Sequence, residues 1–301
     1  DENNEPAEYS PENIPYKPIN HIPISLKGYQ KGDFTMVMGY PGSTQRYVTS
    51  DEVEIIMKKE LPQKIRLRDH RLAVMNEYME NDSRVRIQYA AKYNRVSNAW
   101  KKWQGMINGL QRLNAIEKKQ LQEDLFLQWN ETKNVNDTLY NSVLNTFEKI
   151  YNAYEEPYLA GQYWYEAIYA TELMRQVYNY WKVIEDYEMG NTEGAEEQLD
   201  KLAKGTSGFF KNFYLPVDRE IFPGLMVAYK SNLPDKYHPS FFEEVLKKHN
   251  GDMTAFADKL YNSTLFLDKD ELENLKDQPL KKVMRKLQRD DAMVIFKDFV
   301  G

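Results

Sequence analysis

The amino-acid sequence predicts a mainly α-helical protein with a short N-terminal β-hairpin. Three observations carry that prediction. From Ser50 onward, apolar residues recur at three- and four-residue spacings, the period of a helix with one buried face. Before that point, Phe34 to Met38 form a continuous apolar run, which Gly39, Pro41 and Gly42 end abruptly. The run has a partner upstream, where Ile22, Ile24 and Leu26 alternate with Pro23 and Ser25.

Each element follows in chain order. Residues 1–20 carry Pro6, Pro11, Pro15 and Pro18 with little apolar periodicity and read as an extended surface segment. Gly28 to Gly32 turn the first short strand back into Phe34–Met38. Two strands alone are marginal in water, so the other strands of this sheet are expected outside the chain. Thr49-Ser50-Asp51-Glu52 has the form of a capping box, which starts the first helix near Ser50. Pro62 suits the first turn of a further helix running through Ile65, Leu72, Met75 and Met79.

Asp82 can cap the next helix, whose apolar positions are Val85, Tyr89, Tyr93, Val96, Trp100, Trp103, Ile107 and Leu110. That spacing predicts about 30 residues, or about 45 Å at about 1.5 Å per residue, and makes this helix the spine of the domain. Helices around 115–129 and 137–154 follow. A second long helix is expected after Pro157, with Tyr163, Ala167, Ala170, Met174, Val177, Trp181 and Ile184 on one stripe and Gly190 as its stop. Later segments are shorter, with Asp252 and Asp268 as caps and Pro223 expected to kink or end a helix.

Composition excludes several functions. A chain of 301 residues that is 42 % hydrophobic and 29 % charged can bury a sizeable core. Its net charge of −6, with Lys and Arg interleaved among Asp and Glu, argues against nucleic acid as a partner. No apolar run approaches the roughly 18 residues of a membrane span. With no Cys there is no disulfide or thiol chemistry. The start at Asp1, without Met, points to a mature or excised product.

No catalytic constellation is visible in the residues themselves. His21, His70, His238 and His249 lack metal-ligand spacing, and ordinary surface or capping roles are expected for them. Gly39 to Gly42 lack the Lys-Ser/Thr ending of a phosphate loop. Glu155-Glu156 and Glu196-Glu197 read as solvated carboxylates, and no serine sits in a nucleophile elbow. The stripe Tyr89, Tyr93, Trp100, Trp103 reads as core by its helical spacing.

Asn98 is the residue to watch. At about 100° per residue it points about 160° away from the apolar stripe, on a face shared with Ala91, Arg95, Lys102, Gly105 and Gly109. Two mid-helix glycines on one face suggest close approach by another element. A solvated Asn on an exposed face stands equally with that reading.

The run GDFTMVMGYPGSTQRYVTS at residues 32–50 closely resembles the signature of bacterial dipeptidyl peptidases of the seven and eleven type. Further matches are AEYSPENIPYKP, DSRVRIQYAAKYNRVSNAWKKWQG, LYNSTLF and LQRDDA, in family order over most of the chain. The chain departs from the pattern at Ser43, where the family usually has Arg, and at Asp291, where it usually has Pro.

The resemblance implies a chymotrypsin-like serine exopeptidase with a large inserted helical domain, which removes dipeptides from free amino termini. Residues 1–48 would then be an extended segment and hairpin remnant of the first barrel, and residues 49–301 the α-helical, substrate-capping lid domain. It places the catalytic His and Asp just before residue 1 and the nucleophilic Ser well after residue 301, so this chain alone is expected to be inactive. By motif, Asn98 matches an Asn that helps hold the substrate's free α-amino group, with Asn94 as the fallback one turn earlier. The resemblance further implies no metal or organic cofactor and a periplasmic or cell-surface location. Its partners would be peptide substrates with a free N-terminus and the catalytic barrels of the parent chain, homodimerisation of the parent being left open. The rival expectation is a free-standing helical binding protein whose 22 Tyr and 5 Trp contact a glycan or a protein partner.

Overall fold

The computed structural model describes residues 2–7, 10–36, 38–40, 42–132 and 138–300. The chain divides into two units, Asp1–Arg46 and Tyr47–Gly301.

Among the described residues of the first unit there is no strand, which corrects the expected hairpin. The Gly28–Gly32 turn forms, with Asp33 N donating to Gln30 O at 3.1 Å and Gly28 and Gly32 at φ 69° and 105°. The segments on either side do not pair. Ile22, Leu26 and Phe34 are 92 %, 95 % and 88 % exposed, so this hairpin would gain almost no burial to offset the ordering of its backbone. Val37 and Pro41 of the signature run lie outside the described residues.

The described residues of the second unit are mainly helical. Its first helix, α1 (Ser50–Ile55), starts where the turn chemistry predicts, but Thr49 makes no capping bond. The cap comes from 73 residues away: Ser50 N and Ser50 Oγ each donate to the Glu123 carboxylate at 2.6 Å. Glu52, the expected return partner, instead accepts from the Tyr151 hydroxyl at 2.5 Å. A π-helical turn (Ile56–Glu60) leads without a break into α2 (Leu61–Asn81). Pro62 therefore lies just after a widened turn, where its missing amide costs little.

Helix α3 (Ser83–Arg112) has the predicted 30 residues, and the Asp82 carboxylate accepts from Arg84 N at 2.7 Å and Val85 N at 3.4 Å. After it come α4 (Ala115–Thr132) and α5 (Thr138–Tyr163). Pro157 lies inside α5 and does not open a helix. The expected second long helix is divided: a π turn (Trp164–Ile168) and a break at 169–171 precede α6 (Glu172–Glu188). Thr171 caps α6 through Met174 N at 3.4 Å, and Gly190 follows its end with φ 84°. The chain continues through α7 (Thr192–Asn212), α8 (Leu215–Asn232), α9 (Phe241–His249), α10 (Met253–Ser263), α11 (Lys269–Asn274), α12 (Leu280–Arg289) and α13 (Asp291–Val300). Pro223 sits inside α8, which continues past it.

The core is centred on α6. Its Leu173, Met174, Val177, Tyr180, Val183 and Ile184 are fully buried, and α2, α7, α8, α10, α12 and α13 add their apolar faces around it. This corrects the expectation that α3 is the spine. Helix α3 gives the core Val85, Tyr89 and Val96, and among the described residues no core residue lies between 97 and 159. Its second half, with α4 and most of α5, extends beyond the core.

Candidate functional site

The predicted site residue Asn98 lies midway along α3, so the question is what holds that helix and what its outer face presents. The inner face is held by α2. The Arg68 guanidinium donates to both Glu166 oxygens at 2.9 and 2.7 Å and to Val96 O at 3.0 Å, and its plane lies 4.2 Å from the Trp103 ring centroid. Lys64 sits over the same ring at 4.6 Å, and Trp100 Nε1 donates to Asp69 at 2.6 Å. Such charge-assisted and cation–π contacts are worth more away from water, and Glu166 is buried. The backbone carrying Asn98 is thereby fixed in position two residues upstream, at Val96.

A buried polar chain fixes the other end of the same helix. Tyr89 Oη donates to Glu172 at 2.6 Å, and Lys92 Nζ donates to the second Glu172 oxygen at 2.6 Å. Glu172 opens α6, whose first two amides, Glu172 N and Leu173 N, donate to the Asp218 carboxylate of α8 at 2.7 and 2.8 Å. Tyr261 of α10 completes it with a 2.8 Å bond to Asp218. Burial and, after it, the neighbouring Glu172 push the Asp218 carboxyl up to about 6. Burial also pushes Tyr89 and Tyr261 well above the usual tyrosine value and lowers the Arg71 guanidinium to about 10. Thr264 and Leu265 N, within the quoted segment LYNSTLF, donate to Asp290 of LQRDDA at 2.8 Å each. The sequence segments that looked separate are thus joined around α6. They build the frame and do not converge on a reactive group.

The outer face of α3 is open. Asn98 and Asn94 are both exposed, and the Asn98 side chain makes no hydrogen bond among the described residues, leaving its carbonyl free to accept. Nothing lies within 4 Å of where a Cβ would project from Gly105 or Gly109. The close approach expected at these glycines does not occur within the chain; they keep the face low.

No nucleophile and base are brought together among the described residues. His70 Nε2 meets Ile221 O at 3.0 Å, and His238 Nε2 meets Leu233 O at 2.8 Å while its Nδ1 lies 3.3 Å from Asp235. Ser240 donates to Asp298 at 2.9 Å. Among these residues there is also no cluster of His, Cys, Asp and Glu that could hold a metal ion, and no helix long and apolar enough to cross a membrane. Sequence reasoning missed a cavity of about 480 Å³ between the residues before α1 and the α4 and α5 helices, lined by Tyr47, Phe126, Tyr140, Val143, Leu144 and Phe147. Its signal was the apolar i, i+3, i+4, i+7 spacing of Tyr140, Val143, Leu144 and Phe147.

Comparison with known proteins follows the same outline. An Asp/Glu-specific dipeptidyl-peptidase of Flavobacterium psychrophilum is 33 % identical over 296 residues, which is 98 % of this chain and 40 % of that protein. A dipeptidyl-peptidase 7 of Porphyromonas endodontalis is 31 % identical over 299 residues, covering 98 % of this chain and 35 % of that protein. The crystal structure of Porphyromonas endodontalis DPP11 in complex with the dipeptide Arg-Glu superposes with a TM-score of 0.69 at 25 % identity, over all of this chain and 43 % of that one. The chain therefore spans well under half the length of the proteins it matches. The model of the family described as Peptidase S46 matches residues 1–300, and the chain belongs to that family.

Proposed function

We propose that this chain is the helical, substrate-capping portion of a serine dipeptidyl peptidase that releases dipeptides from free N-termini, acting at the periplasm or cell surface. The observation that carries the reading is Asn98, an unpaired amide on the open face of a helix whose inner face is fixed by Arg68, Trp100 and Glu172. Its Oδ1 accepts one hydrogen bond from the substrate's α-ammonium. A buried ammonium needs more than one acceptor, so the remaining acceptors and the catalytic serine, histidine and aspartate come from the rest of the longer protein. Residues 1–48 are the strip that belongs with its barrels, where the segments around Ile22–Leu26 and Phe34–Met36 find the strand partners that the described residues do not give them. Alone, the chain binds no substrate productively and turns nothing over.

The test is kinetic, in the full-length protein, on matched peptides with free and acetylated amino termini. Asn98→Ala should change stability by no more than about 0.5 kcal/mol, as at other exposed sites. A lost hydrogen bond to a charged group costs about 1.5–3 kcal/mol, which lowers kcat/KM on the free peptide ten- to more than a hundredfold. The effect should vanish on the acetylated peptide. Unchanged efficiency on the free peptide would return Asn98 to a solvated surface role, and a large effect at Asn94→Ala instead would move the site one turn.

A further inference from the structure

Helix α3 carries seven cations, Arg84, Arg86, Lys92, Arg95, Lys101, Lys102 and Arg112, and not one Asp or Glu, in a chain whose net charge is −6. Several lysines on other exposed helix faces are paired one turn away, as in Lys58–Glu54, Lys204–Asp200, Lys247–Glu243 and Lys248–Glu244, although the short helix α12 also carries exposed Lys281, Lys282, Arg285 and Arg289 with no ion-pair partner among the described residues. Among the described residues, Lys92 is the one α3 cation with an ion-pair partner, Glu172, and it points inward. Arg84, Arg95, Lys101, Lys102 and Arg112 are exposed and have no ion-pair partner among the described residues. At about 100° per residue, all five lie within about 60° of Asn98 around the helix axis.

A solvated face ordinarily mixes the two signs, whereas no carboxylate is interleaved anywhere along the 30 residues of α3. The stripe is also long. From Arg84 to Arg112 it runs about 42 Å at about 1.5 Å per residue, whereas the two residues of a released dipeptide span about 7 Å. Most of these cations therefore lie beyond reach of the dipeptide itself. Arg95 and Lys102 flank Asn98 at one turn on either side, where they repel an incoming ammonium unless the same peptide also brings carboxylates.

We propose that the outer face of α3 is a guide for anionic peptides, its unpaired cations attracting carboxylates that lie downstream of the released dipeptide. The inference rests on the reading that Asn98 faces the substrate, and it adds a selection by charge that the amino-terminal contact cannot make. Low-lying Ala91, Gly105 and Gly109 leave the backbone of a peptide room to approach, and Arg and Lys on long side chains reach its carboxylates without a fixed register. Attraction of this kind acts mainly on the association rate and weakens with salt.

The experiment uses the full-length protein and two hexapeptide amides that share their first three residues and end in three Glu or three Gln. At low ionic strength the Glu peptide should be cleaved with roughly tenfold higher kcat/KM, a preference that shrinks toward parity as the Debye length falls to about 8 Å at 0.15 M. The triple variant Lys101→Gln, Lys102→Gln, Arg112→Gln should lose that preference by a fall in kcat/KM on the Glu peptide, while kcat/KM on the Gln peptide should hold or rise as the repulsion of its ammonium by Lys102 is removed. No preference in the unmodified protein would overturn the proposal. So would an equal loss on both peptides with a lowered Tm, which would show that the stripe docks on an acidic face of the same protein. Asn98→Ala separates the two readings: it should lower both peptides alike and leave their ratio unchanged. A ratio that persists while Asn98→Ala has no effect would keep the anion guide and remove the ammonium contact.

Discussion

One half-buried group, His70, and one buried group, Asp218, show how much single residues decide here. A Cβ on Gly224 would lie 2.3–2.8 Å from the His70 ring, and that ring holds Ile221 O at 3.0 Å, so His70 rests on a glycine that cannot be enlarged without moving it. Gly224→Ala should destabilise the protein by about 1–3 kcal/mol, the range for overpacking a filled site. In a double-mutant cycle with His70→Ala, measured by urea unfolding, the two costs should fall well short of adding, since the second change removes what the first collides with. Additive costs would mean the clash is absorbed elsewhere. Asp218 is the second case. Its carboxyl is raised in the folded state by burial and by Glu172, so its contribution to stability is fully present below the ordinary aspartate value and is lost as pH rises through about 6. Asp218→Asn cannot titrate and forfeits part of the cap on Glu172 N and Leu173 N. The stability gap between the unmodified protein and the variant should therefore narrow between pH 5 and pH 7.5 in urea melts; a gap that widens with pH would refute the raised value.

Helices are bounded here by two kinds of cap, and only one was legible. Asp82, Asp252 and Asp268 cap the helices that follow them through their own side chains, and the sequence shows each as an acidic residue just ahead of an apolar period. Helix α3 was legible for the same reason, down to its length. The start of α1 at Ser50 was legible but its capping partner was not, and neither was the start of α6, because these amides are satisfied by Glu123 and Asp218, which are 73 and 46 residues distant. The break at 169–171 was also hidden. Tyr163, Ala167, Ala170 and Met174 keep three- and four-residue spacing straight through it, since a π turn shifts the chain without disturbing the apolar stripe. The capping role of Glu123 can be measured. Glu123→Ala should cost about 1–2 kcal/mol, as lost caps do, and should speed amide exchange at Ser50 and the first turn of α1 while leaving α8 unchanged. Unaltered exchange at Ser50 would show that another group caps this end.

At the scale of the molecule, the core belongs entirely to residues after 47, and that bounds what the first unit can contribute. Among the described residues, the main core cluster falls between Leu67 and Phe296, whereas Ile22, Ile24, Leu26 and Phe34 stand almost fully exposed in segments that make no cross-strand hydrogen bonds. These segments carry a strand-like apolar pattern in the sequence, but no strand forms among the described residues, since a pattern becomes a strand only against a partner. The same limit applied to Asn98: its place away from the apolar stripe could be read from periodicity, while what faces it could not. An apolar edge of this kind is also an adhesive template. Removing residues 1–46 should therefore leave the Tm of the 301-residue chain within about 2 °C, because a stability change below about 0.5 kcal/mol shifts a domain of this size by no more than that. It should also raise the concentration at which the chain begins to self-associate, measured by light scattering. In the intact chain, amides at residues 22–26 and 34–36 should exchange near unprotected rates, and in the full-length protein the same amides should be protected by a neighbouring strand. Slow exchange there in a dilute monomer of the 301-residue chain would show that the hairpin forms without the barrel, and the strand partners assigned to the rest of the protein would no longer be needed.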